Sequence, residues 1–367
     1  MRNKLSLAVC GLVLTSSMAF AANTVDSAFK EGKASGSLAL YGEKHDFKNG
    51  TPDSGYGNGN ATVAFETASL YGFTAKAEFK GNLSLGEVEN NDYDTAFANH
   101  SLMTEAYVKY THDAFFVSAG RQAIDLEWLG DYNEAVVAGI TAIPDTVVVL
   151  GYTDRQAESG IDVSENFEEI TEKGAFVADI KYTGLDSVEF NPYAYSAPDA
   201  VDFYGLKTTI TTDYFGAIAH YATSSVDDSV GVEDGSIGHL ELNTTLVGVS
   251  AAVGYIKTDK DGGVGLMDTY GDNISPFDTG LNTYATDAKT VYGSLGYTIA
   301  DIELGALYGE TTYGTDDAKE KELNLTAAYP ITESLTTSIL YGDVDEDSAD
   351  ADFKDDKYVL ASVEYTF

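Results

Sequence analysis

Residues 358–367 read Tyr-Val-Leu-Ala-Ser-Val-Glu-Tyr-Thr-Phe. Successive side chains of an extended strand point to opposite faces. Val359, Ala361, Val363, Tyr365 and Phe367 therefore share one face, and Tyr358, Leu360, Ser362, Glu364 and Thr366 share the other. The same period of two returns upstream. Leu323, Leu325, Ala327 and Tyr329 face away from Glu322, Asn324 and Thr326. Val291, Gly293, Leu295 and Tyr297 repeat the scheme, as do Ile302, Leu304, Ala306 and Tyr308 against Glu303. Phe73, Ala75, Ala77 and Phe79 alternate with Thr74, Lys76, Glu78 and Lys80, and Phe176, Ala178, Ile180 and Tyr182 alternate with Asp179 and Lys181. A soluble sandwich also alternates, but here the apolar face mixes Ala and Gly with Leu and Val and ends repeatedly on Tyr. That is the pattern of a lipid-facing band bounded by interfacial aromatic residues. Strands cross a bilayer only in a closed barrel, because every backbone N–H and C=O must find a partner inside the apolar layer.

The connections carry a second, independent signal. Tight turns fall around Tyr71-Gly72, Thr111–Asp113, Pro144-Asp145, Gly184–Asp186, Thr212-Asp213, Thr245–Val247, Ala300-Asp301 and Pro330–Glu333. Longer polar links lie near 48–59, 85–99, 123–134, 156–172, 226–234, 259–286, 311–318 and 343–356, and only the link around Pro198-Asp199 is short. Short and long connections alternate, as they do when one rim of a barrel carries turns and the other carries loops. The expected fold is all-β: a closed antiparallel transmembrane β-barrel of about 18 strands, with short periplasmic turns and longer extracellular loops. It forms one domain over residues 22–367. The aromatic ending Tyr365-x-Phe367 resembles the terminal strand by which bacterial barrels are recognised for assembly.

Residues 1–21 are expected to be a cleaved signal peptide. Arg2 and Lys4 form a short positive region, Leu5 to Leu14 an apolar run, and Ala19-Phe20-Ala21 the small-x-small cleavage pattern. The one cysteine, Cys10, goes with it, so disulfides, thiolate catalysis and cysteine metal sites are excluded from the mature chain. Fifty-nine Asp and Glu stand against 21 Lys and Arg, which rules out nucleic acid as a partner, since phosphate binding needs clustered cations. Acidity of this degree also accompanies disorder, but 25 Tyr and 17 Phe argue for a folded chain.

Ala28-Phe29-Lys30-Glu31-Gly32-Lys33 running into Ser35-Gly36-Ser37-Leu38, the Gly120-Arg121-Gln122 that closes a strand with an acidic segment after it, and Asp145 to Arg155 (DTVVVLGYTDR) together resemble the Opr-family porins. These are the OprD-type channels and the campylobacter-type major outer membrane porins. The resemblance implies an eighteen-stranded barrel in the bacterial outer membrane whose third long loop folds inward to narrow a pore. It also implies outer-membrane lipid and lipopolysaccharide as surroundings. The chain departs from OprD-type relatives, which take up carboxylates along an arginine ladder, because its few basic residues form no obvious ladder. The expected function is a water-filled, cation-preferring channel for passive diffusion of ions and small hydrophilic solutes. A substrate-specific channel of the same fold and a plugged structural or adhesin barrel are the alternatives. Homotrimers packed through small lipid-facing residues (Ala217, Ala219, Ala251, Ala327) are a further expectation.

On this resemblance the link from about Ala123 to Ala135 is the constriction loop. Asp125, Glu127, Asp131 and Glu134 lie on it with Trp128, the single tryptophan, and Arg121 stands at its root. Carboxylates on an inward loop facing a guanidinium on the wall would set a transverse field. Alternation places Glu66, Lys76, Glu78, Lys80, Glu105, Lys109, Asp179, Lys181, Glu189, Lys207, His239, Glu241, Glu303 and Glu322 on the lumen face, where the excess of carboxylates favours cations. No cofactor is required. Calcium is the one ion the sequence offers a place, at Asp259, Asp261, Asp268 and Asp272, whose oxygens are spaced around glycines. The acidic run Asp343, Asp345, Glu346, Asp347, Asp350, Asp352, Asp355 and Asp356 is a second loop able to hold divalent ions, since carboxylates this dense repel one another unless cations screen them, with a merely solvated exterior as the alternative. His45, His100, His112, His220 and His239 show no metal or catalytic spacing, and no enzymatic activity is expected.

Overall fold

The computed structural model describes residues 22–48, 50–347 and 355–367. The signal peptide expected at residues 1–21 lies outside them, as do Asp350 and Asp352. Nineteen strands form one antiparallel sheet. The first seven are β1 (Lys33–Phe47), β2 (Ser54–Glu66), β3 (Phe73–Glu87), β4 (Ser101–His112), β5 (Phe115–Ala123), β6 (Tyr132–Ile140) and β7 (Thr146–Ala157). A two-residue stub follows as β8 (Glu168–Glu169). The wall then continues through β9 (Ala175–Leu185), β10 (Val188–Ala197), β11 (Val201–Thr211), β12 (Gly216–Val226), β13 (Ser236–Leu246) and β14 (Val249–Thr258). It ends with β15 (Lys289–Ile299), β16 (Ile302–Tyr313), β17 (Ala318–Pro330), β18 (Leu335–Glu346) and β19 (Asp356–Thr366). Each wall strand pairs with its neighbour in sequence, and β19 closes on β1 from Ser37↔Thr366 to Phe47↔Asp356. The stub β8 pairs only with the end of β7, which itself continues to β9. Eighteen strands therefore close the ring, and β8 rides on its loop rim.

Alternation is kept around the wall. Leu240, Leu242, Val253, Val291 and Leu295 are each about 60% exposed on the outside, and their strand neighbours His239, Glu241, Gly254, Tyr292 and Ser294 face in. Exposed apolar side chains in this number, continuous around a closed wall, have only lipid to cover them. Tyr182, Tyr297, Tyr329, Tyr365 and Phe367 stand exposed toward the short-turn rim and Tyr204, Tyr221 and Tyr255 toward the other, which forms the two aromatic girdles of a membrane barrel. The short turns are tight: Ala300 and Asp301 have φ of 48° and 66°, and Val247 and Gly248 have 52° and 79°. Positive φ at both central residues is the hairpin turn that matches strand twist.

The loop rim is tighter than the sequence reading in places: the links near 48–59, 311–318 and 343–356 lose residues to the ladder, as in Gly57↔Gly42, Thr312↔Lys319 and Asp343↔Lys357. The link near 311–318 shrinks to 314–317, because Thr311↔Glu320 and Thr312↔Lys319 are ladder pairs. These strand ends are polar on both faces, so alternation does not mark them. The larger difference lies inside. Residues 259–288 fold into the barrel and, with residues 124–131, build an apolar core against β10–β15 from Trp128, Tyr193, Ile237, Ile256, Val264, Met267, Ile274, Phe277 and Tyr292. The interior of the barrel is partly a packed protein core.

Candidate functional site

Pairing of β5 with β6 runs out at Ala123↔Tyr132, and the eight residues between them form a tongue. It is closed on itself by Ile124 N donating to Asp131 O at 2.8 Å and Leu126 N to Leu129 O at 2.9 Å. Its apolar residues Ile124, Leu126, Trp128 and Leu129 are buried, so in a barrel whose outside faces lipid the tongue turns inward. Trp128 is wholly buried, and its Nε1 donates to the Tyr193 hydroxyl on β10 at 2.7 Å. That hydroxyl lies 2.7 Å from His220 Nε2 on β12. Beside it, Lys207 Nζ on β11 donates to both Glu127 oxygens at 2.9 and 3.1 Å. The second inward segment braces the tongue from above: Gly130 N donates to Tyr270 O at 3.1 Å, Asn273 Nδ2 to Leu126 O at 2.8 Å, and Tyr284 meets the Trp128 ring edge-on at 6.3 Å.

Two cavities flank the tongue and share Asp125 and Leu126. One, of about 290 Å³, lies toward β3–β9 and is lined by Lys76, Glu105, Lys109, Phe116 and Gln122 with Val137, Val149 and Val177. The other, of about 300 Å³, is lined by Asp125, Glu127, Asp179, Lys181, Asn191, Lys207 and Asn273.

No protein-family model and no curated protein matches the chain. Solved structures do. Pseudomonas aeruginosa OpdQ superimposes with a TM-score of 0.74 at 15% identity, covering 93% of this chain and 99% of that one. OccK8 (OprE) of the same organism gives 0.76 at 13%, covering 93% and 99%, and Acinetobacter baumannii OccAB1 gives 0.73 at 13%, covering 93% and 98%. The fold is that of the Opr and Occ barrels.

Within that Opr-type barrel the expected site residues separate into groups. Arg121 does not face the tongue. It bonds its ladder partner Glu134 at 2.8 Å, the Met103 carbonyl at 3.0 Å and, 4.2 Å away, the Phe167 ring. The cation that meets the tongue is Lys207, which the sequence placed on the lumen face without a partner. Lys76 is paired with Glu105 and lies 3.7 Å from Glu78. Lys80 donates to Ser159 O at 2.8 Å, and Lys109 stands 4.6 Å over the Phe116 ring. Asp179 accepts from Asn191 at 2.8 Å, and Glu241 from Tyr292 at 2.6 Å. Glu66 and Glu303 are exposed near the short-turn rim, and Asp131 sits at the base of the tongue with φ of 59°. Lys76, Lys80, Lys109, Arg121, Arg155, Lys181 and Lys207 thus share one arc, β3 to β11. The chain has few cations, but the fold gathers them where the cavities are.

The four candidate calcium ligands are not gathered into a group of three or more acidic or imidazole side chains among the described residues. Asp259 caps its own turn, accepting from Asp261 N at 2.8 Å and Gly262 N at 3.0 Å, and these N–H groups hold its carboxyl below the usual range. Burial pushes the Asp268 carboxyl up. Asp272 accepts from Ile274 N at 2.8 Å and from the Tyr284 hydroxyl. What sequence reading missed is the inward course of 259–288. The signal was present in Val264, Leu266, Met267, Tyr270, Ile274, Phe277 and Tyr284, too many apolar residues for a solvated link.

Proposed function

We propose that this chain is an outer-membrane channel through which ions and small hydrophilic solutes diffuse passively past the tongue 124–131. The carrying observation is the tongue itself. A surface link has no reason to bury Trp128 fully against Tyr193 of β10 or to place Glu127 on Lys207 of β11, whereas a loop that narrows the lumen is held by such contacts. The passage follows the cation-bearing arc, where the cavities are. Its walls carry Lys76, Lys109, Lys181 and Lys207 against Glu105, Asp125, Glu127 and Asp179, so the narrow part is nearly balanced in charge. Cation preference then comes from the acidic excess at the mouths. Contacts with lipopolysaccharide and a homotrimer packed through the small outer-wall residues Ala217, Ala219, Ala251 and Ala327 belong to the same reading.

Charge at wide mouths acts over the Debye length, which falls from about 10 Å at 0.1 M salt to about 3 Å at 1 M. Reversal potentials across a KCl gradient should therefore favour potassium at low salt and lose most of that preference near 1 M. Chloride preference at low salt, or folded and inserted protein that never conducts, overturns the reading. A substrate-specific channel is the second reading, favoured by the charged, almost wholly polar cavity at Asn191 and Asn273. It requires a solute that saturates the current.

A further inference from the structure

We propose that the tongue is held by an acid-sensitive latch, with His220 as the group that takes the proton. The chain of bonds fixes the protonation state of the closed form. The Trp128 indole can only donate, so the Tyr193 oxygen accepts from it. Among the described residues His220 Nε2 is the acceptor within reach of the Tyr193 hydrogen, and the arrangement that pairs this buried hydrogen has Nε2 as the bare nitrogen of a neutral ring. A protonated imidazole has no acceptor. On taking a proton, His220 Nε2 becomes a second donor aimed at the Tyr193 oxygen, leaves the Tyr193 hydrogen without its acceptor, and places a charge at a residue that is 4% exposed.

The surroundings do not accommodate that charge. From β11, Lys207 is the direct ladder partner of His220, and it already holds Glu127 of the tongue. From β13 the partner is His239, whose ring is engaged with Tyr292 at 2.8 Å and, through it, Glu241. From β10 comes only Tyr193, and from the tongue Trp128 and Glu127. The tongue's carboxylate, Glu127, is committed to Lys207, and the two ladder partners Lys207 and His239 carry or acquire the same sign as a protonated His220. His220 Nδ1, which carries the hydrogen of that neutral ring, is buried and has no hydrogen-bond partner among the described residues, so the ring has an acceptor for a second proton on neither side. The released form binds a proton that the latched form excludes, so falling pH favours release.

Trp128 is the single tryptophan in the sequence, which makes the test independent of any conductance assay and of the channel reading. In full-length protein folded in detergent, tryptophan emission and its quenching by acrylamide are followed from pH 7.5 to 4, with far-ultraviolet dichroism reporting the barrel. Emission should move to the red and quenching should rise on acidification while the barrel signal holds. H220Q keeps an acceptor for Tyr193 but takes no proton in this range, so its emission should stay blue and protected throughout. Wild-type tryptophan that stays protected at pH 4 overturns the proposal. So does H220Q responding like wild type, including by unfolding at the same pH.

Discussion

Glu322→Ala is expected to free residues 259–288 from the barrel wall and raise single-channel conductance more than any other single change. Glu322 is almost fully buried and accepts five hydrogen bonds: from Thr279 N at 3.0 Å, Thr279 Oγ1 at 2.7 Å, Gly280 N at 2.9 Å, Asn324 Nδ2 at 2.9 Å and Tyr358 OH at 3.1 Å. Gly280, with φ of 51°, supplies the turn that brings two consecutive backbone donors onto one carboxylate. Each buried donor left without an acceptor costs about 1–3 kcal/mol, and alanine orphans several together. The barrel ladder does not depend on them, so the loss falls on the inward segment. The refolded variant should still run as a compact barrel, while a nonspecific protease cuts within 261–288, where the wild type is protected, and conductance rises. Glu322→Gln retains one acceptor oxygen and should lie between. A variant with wild-type conductance and an uncut loop would show that the segment is held elsewhere.

Trp128→Ala should have the second largest effect. Truncating a buried Trp costs about 3–5 kcal/mol, and here the Tyr193 hydroxyl also loses its donor. The tongue keeps Glu127 on Lys207, so it loosens rather than leaves. The expected result is a larger and noisier open-channel current, with Trp128→Phe close to wild type because most of the ring contact survives and only one hydrogen bond, worth about 1 kcal/mol, is lost. Unchanged current in the alanine variant would mean that the tongue does not set the narrowest point.

Glu322 also shows how far the sequence could be read. Alternation put its side chain in the lumen, and it is there. Alternation also suggested that it acts as a free charge on permeant ions, whereas it is a structural clamp. Arg121 is the converse case. Its place at the root of the tongue was legible, but its partner is Glu134 on the next strand and not the tongue. Lys207 looked like one lumen lysine among several, and its pairing with Glu127, 80 residues away in sequence, has no local trace.

The wall of this protein is written in its sequence because each strand answers a local question. The period of two sorts lipid from water residue by residue, tight turns mark one rim, and backbone hydrogen bonds then have only one closed arrangement in a membrane. Strand number and the inward course of a loop near Trp128 follow from that and from the resemblance of a few short stretches. The interior answers no local question. Whether 259–288 is a solvated link or a packed filling depends on what Glu322, Ile256 and Tyr292 offer from strands far along the chain. Which carboxylate meets which ammonium depends on ladder register summed around the barrel. Those contacts exist only once the ring has closed, and they set the shape and charge of the passage.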